Sequence, residues 1–174
     1  MNYTANPDAI TREYFDSLLL ETRYIDSVLP TTKMTLFGEE FDTPIMTAAL
    51  SHLDKTAPNG MGVYAQGAKL SNAVHWMGMG EDEELERVVA TGARTIKIIK
   101  PHADNNEVFR KIEHAVANGC FAVGMDTDHA FNSEGGYDNV MGLPMTSKSS
   151  AEIAEFVQAA GVPFIVKGVL SPRD

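Results

Sequence analysis

Three times in this chain a helical pattern ends on a glycine and gives way, two or three residues later, to a short apolar run. The junctions are Gly92-Ala93-Arg94-Thr95, Gly119-Cys120-Phe121 and Gly161-Val162-Pro163. Glycine just past a helix supplies the left-handed residue that closes it, and a short run of branched apolar residues between Gly and Pro reads as a strand buried on both faces. Helix and strand alternating in a fixed order make βαβ units, whose right-handed crossovers require a parallel sheet.

The helices carry their own start signals. Glu81-Asp82-Glu83-Glu84 is an acid-rich first turn for a helix to Ala90. Asp104 with Glu107, and Ser149 with Glu152, have capping-box spacing ahead of Val108, Ile112, Ala115 and Val116, and of Ile153, Phe156 and Val157. Two further strands precede these units, residues 44–49 (Pro44-Ile45-Met46-Thr47-Ala48-Ala49) and 73–77, with a helix over 61–70 between them. Strands three, four and five are then 95–100, 121–125 and the segment from Phe164. Before strand one, Asn6-Pro7-Asp8 opens an amphipathic helix carrying Ile10, Tyr14, Leu18 and Leu19 to about Arg23, and residues 31–41 form a small hairpin turning at Phe37-Gly38-Glu39.

Five parallel strands fit either a doubly wound sheet or part of a barrel. A hairpin closing one end and polar residues at the strands' C-terminal ends favour the barrel. The expected fold is α/β: the N-terminal five βα units of a (β/α)8 TIM barrel, incomplete in this chain. A single partial domain spans 1–174, with helix and hairpin lid over 1–43, strands one to five over 44–170 and an insertion loop over 127–148. A polar, Gly-rich loop of that length is uncommon unless it carries function.

The chain has 174 residues and a formal net charge of -10, which argues against nucleic acid or an anionic membrane as partner. Cys120 is the only cysteine, so no internal disulfide or cysteine-based zinc site can form within one chain. A cytoplasmic location is expected, since no basic, apolar leader opens the sequence and no apolar run approaches the roughly 20 residues a membrane span needs.

Lys167 is the charge that interrupts the last apolar strand. It lies at the C-terminal end, where α/β sheets place ligand groups, and needs an anion or water to offset desolvation. Ser171, Pro172 and Asp174 then read as the start of another helix. Lys97 and Lys100 sit at odd separation in one strand and face opposite ways, so one of them is expected to be solvated. Asp126, Asp128 and His129 have ligand-like spacing, but read as turn and cap residues, and no metal is expected. His52 reads as a loop residue, His75 as a hydrogen-bonded core residue, and Met61, Met77, Met79 and Met125 as core filling.

Leu36-Phe37-Gly38 leading into Pro44-Ile45-Met46-Thr47-Ala48-Ala49, together with Pro163-Phe164-Ile165-Val166-Lys167-Gly168-Val169, resembles the FMN-dependent α-hydroxy-acid oxidase and dehydrogenase family, which includes glycolate oxidase and lactate oxidase. The resemblance implies a TIM barrel holding FMN at its C-terminal mouth and oxidising a 2-hydroxy acid to a 2-oxo acid. It implies a catalytic role for Lys167, whose charge would stabilise reduced flavin, and backbone contacts to the cofactor from Ala48, Ala49, Leu50 and Gly78. The family's Gln and Tyr on strand three and Thr on strand four correspond to Ile98, Lys100 and Asp126. Loss of the Tyr speaks against a glycolate-like substrate, and Lys100 offers a different anion contact.

The family's catalytic His, substrate-binding Arg and phosphate site lie beyond strand five. The chain is therefore expected to be the N-terminal part of such an enzyme, inactive alone, with weak or absent FMN binding. Two alternatives stand beside it: a non-catalytic half-barrel subunit needing a partner chain or its own copy at the exposed strand edge, and a related FMN barrel such as type 2 isopentenyl-diphosphate isomerase.

Overall fold

The computed structural model describes residues 7–169. The helix start expected at Ser171, Pro172 and Asp174, and the cap expected at Asn6, lie outside the described residues. The chain divides into two compact units, one up to Thr31 and one from Thr32 onward.

In the first unit α1 (Pro7–Ser17) is shorter than its apolar spacing suggests. Ser17 Oγ donates to the Tyr14 carbonyl (2.6 Å), so a side chain takes the acceptor at the end of the helix. Ile10, Tyr14, Phe15 and Leu18 are exposed.

The second unit opens with the expected hairpin, β1 (Met34–Leu36) paired antiparallel with β2 (Glu39–Phe41). Phe37 and Gly38 both have positive φ (50° and 85°), the backbone a two-residue turn needs to match strand twist. Next come α2 (Gly60–Leu70), β3 (His75–Met77), α3 (Asp82–Ala90), β4 (Thr95–Ile99), α4 (Asn105–Ala117) and β5 (Ala122–Asp126). A small antiparallel pair, β6 (Asn139–Val140) and β7 (Leu143–Pro144), lies within the insertion, followed by α5 (Ser150–Ala160) and β8 (Phe164–Lys167). The parallel sheet runs β3-β4-β5-β8 in spatial order, each neighbour joined through a helix. This is an α/β arrangement of βα units forming part of a barrel that does not close.

Strand one is the main departure. Residues 44–49 form no strand, and the segment touches the sheet through one parallel bridge, Leu50 to Met77. Thr47 N–H donates to the Val74 carbonyl (3.1 Å), but the Trp76 N–H is taken by the Thr47 side-chain oxygen (2.8 Å) rather than by a backbone carbonyl. A side chain thus replaces a ladder bond, and Pro44 has no N–H to offer. The segment keeps its place beside β3 without strand geometry.

Caps follow the sequence with one change. Ser149 and Glu152 make a complete capping box. Asp104 accepts from Asn106 N–H instead, because Glu107 turns to Arg110 (2.7 and 2.8 Å).

Strand alternation divides the apolar side chains into two clusters. Val74, Ile96, Ile98 and Ala122 pack with Phe41, Trp76 and Ile165 on the inner face over the hairpin. Met77, Ile99, Val123 and Met125 face the helices and pack with Leu85, Val88, Ile112 and Phe156. Phe156 is fully buried, edge-on to Phe109 at 5.0 Å between α5 and α4. Phe156→Ala is expected to cost about 3–5 kcal/mol, read as a lower urea midpoint at unchanged slope. A loss below about 1 kcal/mol would show that this helix layer is not part of the cooperative core.

Candidate functional site

Parallel register stacks the inner face in rows. Trp76, Ile96 and Ala122 are aligned in one; Ile98, Gly124 and Ile165 form the next. Gly124 has no room for a side chain, since a Cβ there would lie 2.5 Å from the Ile165 carbonyl oxygen and 2.9 Å from Ile98 Cδ1. The row above is charged. Asp126 pairs in register with Lys167, and Lys100 reaches the same carboxylate from the end of β4.

Lys100 Nζ donates to Asp126 Oδ2 at 2.6 Å and Lys167 Nζ to Asp126 Oδ1 at 2.5 Å. Asp126 is 5% exposed and the Lys100 side chain 11%, whereas the Lys167 side chain is 40% exposed. The three therefore form one network at the C-terminal end of the sheet, with two ammonium groups on one carboxylate and a net positive charge open to solvent at Lys167.

Burial alone would push the Asp126 carboxyl up. Hydrogen bonds from Asp128, Lys100 and Lys167 prevail and hold it well below the usual carboxylate range. Asp128 is pushed up by its hydrogen bond to Asp126, by burial and by the Asp126 charge. His129 Nε2 lies 3.5 Å from Asp126 Oδ2, and its Nδ1 3.8 Å from Asp138. Ligand atoms of Asp126, Asp128 and His129 fall within 4.8 Å of one another, but both Asp126 oxygens already face ammonium groups, which oppose a cation there.

The structure brings together four of the expected site residues, Ile98, Lys100, Asp126 and Lys167, on one face. The backbone expected to pack on a cofactor is partly committed elsewhere. Ala48 N–H donates to the Tyr64 hydroxyl (2.9 Å) and its carbonyl accepts from Leu50 N–H (2.8 Å), which turns the chain away after Ala49. The Leu50 carbonyl accepts from Gly78 N–H (2.8 Å), joining the segment to the end of β3. Gly78 admits no side chain either, because a Cβ would meet Ser51 Oγ at 2.5 Å and the Ala49 carbonyl oxygen at 2.6 Å.

Two lysines correct the expectation that one would be solvated. Lys97 and Lys100 do face opposite sides of the sheet, yet neither is left to solvent: Lys100, largely covered, bonds to Asp126, and Lys97, 4% exposed, to the Gly78 carbonyl. A long stem let Lys97 reach a carbonyl at the end of the neighbouring strand instead of water. The shared carboxylate was also unforeseen as a network, although its signal is present: Asp126 and Lys167 end neighbouring parallel strands, and one register step decides whether they meet. His75 is a core residue as expected, fully buried, with Nδ1 3.1 Å from Thr47 Oγ1; burial lowers its pKa to about 4 and keeps it neutral. His52 is half-buried in a left-handed conformation (φ 57°) at the start of the turn Leu53–Lys55.

Asp126→Asn removes the counter-charge of two ammonium groups. The buried Lys100 arm sets a cost on the order of 3 kcal/mol, while the solvent-screened Lys167 arm adds less. The folded-state carboxyl of Asp126 lies below its unfolded value, so its contribution is complete above the ordinary carboxylate range and is lost as pH falls through that range. Asp128, shifted up, titrates in the opposite sense and offsets part of this loss. Urea unfolding of both proteins between pH 7 and pH 3 is expected to show their difference shrinking in acid; a difference constant with pH would contradict the ion network.

A profile of the FMN-dependent dehydrogenase family matches residues 8–156. No curated protein matches the sequence. Among solved structures, a mandelate oxidase variant with (S)-mandelic acid is similar at 16% identity and a TM-score of 0.80, over 94% of this chain and 52% of that one. Mandelate oxidase with 3,3-difluoro-2-hydroxy-3-phenylpropionic acid gives 16% identity and a TM-score of 0.77, over 94% and 53%. A mandelate oxidase variant with a monooxide FMN adduct gives 17% and 0.69, over 81% and 45%. The chain spans about half the length of these structures. With a family match over most of its residues, and the same fold as half of a flavin oxidase barrel, the chain belongs to the FMN-dependent dehydrogenase family, whose cofactor is FMN.

Proposed function

We propose that these residues are the N-terminal part of an enzyme that oxidises a 2-hydroxy acid to a 2-oxo acid. The observation carrying this reading is the charged row at the C-terminal edge of the parallel sheet: Lys167 presents a partly exposed ammonium directly above an apolar floor of Ile98, Gly124 and Ile165. That surface suits the edge of an anionic aromatic cofactor, and the lack of room for side chains at Gly78 and Gly124 keeps it flat. When bound, FMN supplies the two-electron acceptor. Lys167 would stabilise negative charge on the ring, Ile98 would lie beneath it, and the backbone of Ala48, Ala49, Leu50 and Gly78 would border it. Lys100 would offer the substrate carboxylate an ammonium, with Asp126 holding both lysines in place.

Proton abstraction is the step these residues do not supply. The Asp126 carboxylate is made a weak base by two ammonium groups. Among the described residues no cluster of unpaired cations faces the mouth to take a phosphate. The chain alone is expected to show no flavin-dependent turnover of glycolate, lactate, mandelate or longer 2-hydroxy acids, and to lose flavin absorbance on gel filtration. Turnover by the isolated chain would overturn the assignment of the base to another segment. Lys167→Met in the full enzyme is expected to lower kcat on the order of 10²-fold, and an unchanged kcat would remove Lys167 from the chemistry.

A second reading rests on the sheet edge. Beyond β8 no strand pairs among the described residues, and Val166 is 39% exposed. An unpaired parallel edge favours association, so a half-barrel subunit completed by a second polypeptide or copy would carry the fold without catalysis. Mass in solution separates the readings: a stable monomer at high concentration would count against a partner-dependent subunit. We propose a cytoplasmic location, with which a chain whose single cysteine, Cys120, is buried and free is consistent. No helix among the described residues is long and apolar enough to cross a membrane.

A further inference from the structure

Lys97 lies on the face of β4 away from the charged row, against the helices. Its side chain is almost wholly buried, and its ammonium, which has three hydrogens to donate, bonds to the Gly78 carbonyl. Among the described residues no carboxylate oxygen comes within ion-pair distance of it. The charged groups around it are Glu84 and Asp82 on α3 and Lys111 on α4, with the neutral thiol of Cys120 before β5. None of the acids is available as its partner. Asp82 is bonded to Lys111 (2.7 Å) and Arg110 (2.6 Å), and Glu107 to Arg110.

Glu84 is the remaining candidate, and it does not close the gap. It is 7% exposed, and its Oε2 has no hydrogen-bond partner. That oxygen sits against Gly80, where a Cβ would come within 2.0 Å. Burial raises the Glu84 carboxyl, which weakens it as a counter-charge. A desolvated ammonium and an unbonded buried carboxyl oxygen thus stand on either side of the turn between β3 and α3.

A cleft of about 150 Å3 opens at this place, bordered by Gly80, Glu81, Lys97, Glu107, Arg110 and Lys111. It has room for roughly five waters, hence for a ligand of a few heavy atoms. Four cations line it when Lys100 is counted, and Lys97 is the one without an ion partner. We propose that this cleft binds a small oxyanion, a monocarboxylate or inorganic phosphate, with Lys97 as its counter-ion. Arg110 and Lys111, already turned toward Asp82 at the rim, add favourable potential without leaving their partners. The cleft reaches from the helix side of β4 to its C-terminal end, where Ile98 and Lys100 of the proposed enzyme site also line it; Lys97 has no part in the flavin reading, so its own test can fail while that reading stands.

The test is calorimetric and NMR titration of the 174-residue chain with sodium phosphate in one arm and sodium acetate in the other, at ionic strength held constant with chloride. Saturable millimolar binding of either anion is expected, and the arm that binds identifies the ligand class. Lys97→Met, close in volume and uncharged, is expected to weaken it about tenfold or more. A second readout covers a variant that fails to fold: in the wild type the Lys97 amine, lowered to about 8 by burial, is expected to titrate about half a unit or more higher with anion bound, seen at its Cε resonance. Absence of saturable binding in both arms, or binding that leaves the Lys97 titration unmoved, would overturn the proposal.

Discussion

A parallel ladder sets Asp126 opposite Lys167, and much of the chemistry of this chain follows from that register. Shifting β8 by one residue against β5 would turn Val166 inward and Lys167 toward the helices, leaving the Asp126 carboxylate with Lys100 alone. In the observed register a single carboxylate holds two ammonium groups at 2.5 and 2.6 Å, so three charges that would be costly apart sit together at the end of the sheet. The network is weak evidence for stability, because apolar residues of similar size would pack as well. Its value lies in placement: Lys167 is tethered to the inner face while its ammonium stays partly exposed.

The same alternation explains why Lys97 and Lys100, three residues apart, have different environments. Lys100 meets a carboxylate on the inner face. Lys97 meets a carbonyl on the outer face, under a layer of helices whose acids already have partners or no hydrogen bond at all. Inner-face charge is compensated within the row; outer-face charge is not. The proposed enzyme site and the proposed anion cleft thus meet at the end of one strand, sharing Ile98 and Lys100 but differing in Lys97.

Much of the frame was legible in the sequence because local chemistry and tertiary demand agree. Gly92, Gly119 and Gly161 all adopt positive φ after their helices, and the Ser149–Glu152 box forms in full. The apolar runs after those glycines became β4, β5 and β8 within a residue or two. The failures occur where a side chain competes with the backbone. Thr47 Oγ1 takes the Trp76 N–H and undoes strand one, Ser17 Oγ takes the Tyr14 carbonyl at the end of α1, and Glu107 chooses Arg110 over the cap. No periodicity rule reports such competition, because both outcomes use the same residue types. The β6–β7 pair inside the insertion was missed for a related reason: its turn, Met141-Gly142, has the positive φ values of a hairpin (55° and 86°), but the flanking strands are only two residues long.

Individual site residues were likewise easier to read than their partners. Lys167 and Lys100 stood out as charges in apolar strands, and Asp126 as the acid ending strand four; whether they oppose, ignore or neutralise one another depends on register across strands far apart in sequence. Family likeness places Asp126 where an uncharged Thr would stand, and there the substitution has a definite electrostatic effect. A carboxylate between the two lysines lowers the positive potential that either presents to a bound anion. In the proposed enzyme, Lys167 would meet a reduced flavin with part of its charge already balanced, and Lys100 would meet a substrate carboxylate in competition with Asp126. A ligand entering this mouth must outcompete an internal anion, so a ligand with two separated negative groups, one for each lysine, gains more here than a compact monocarboxylate does.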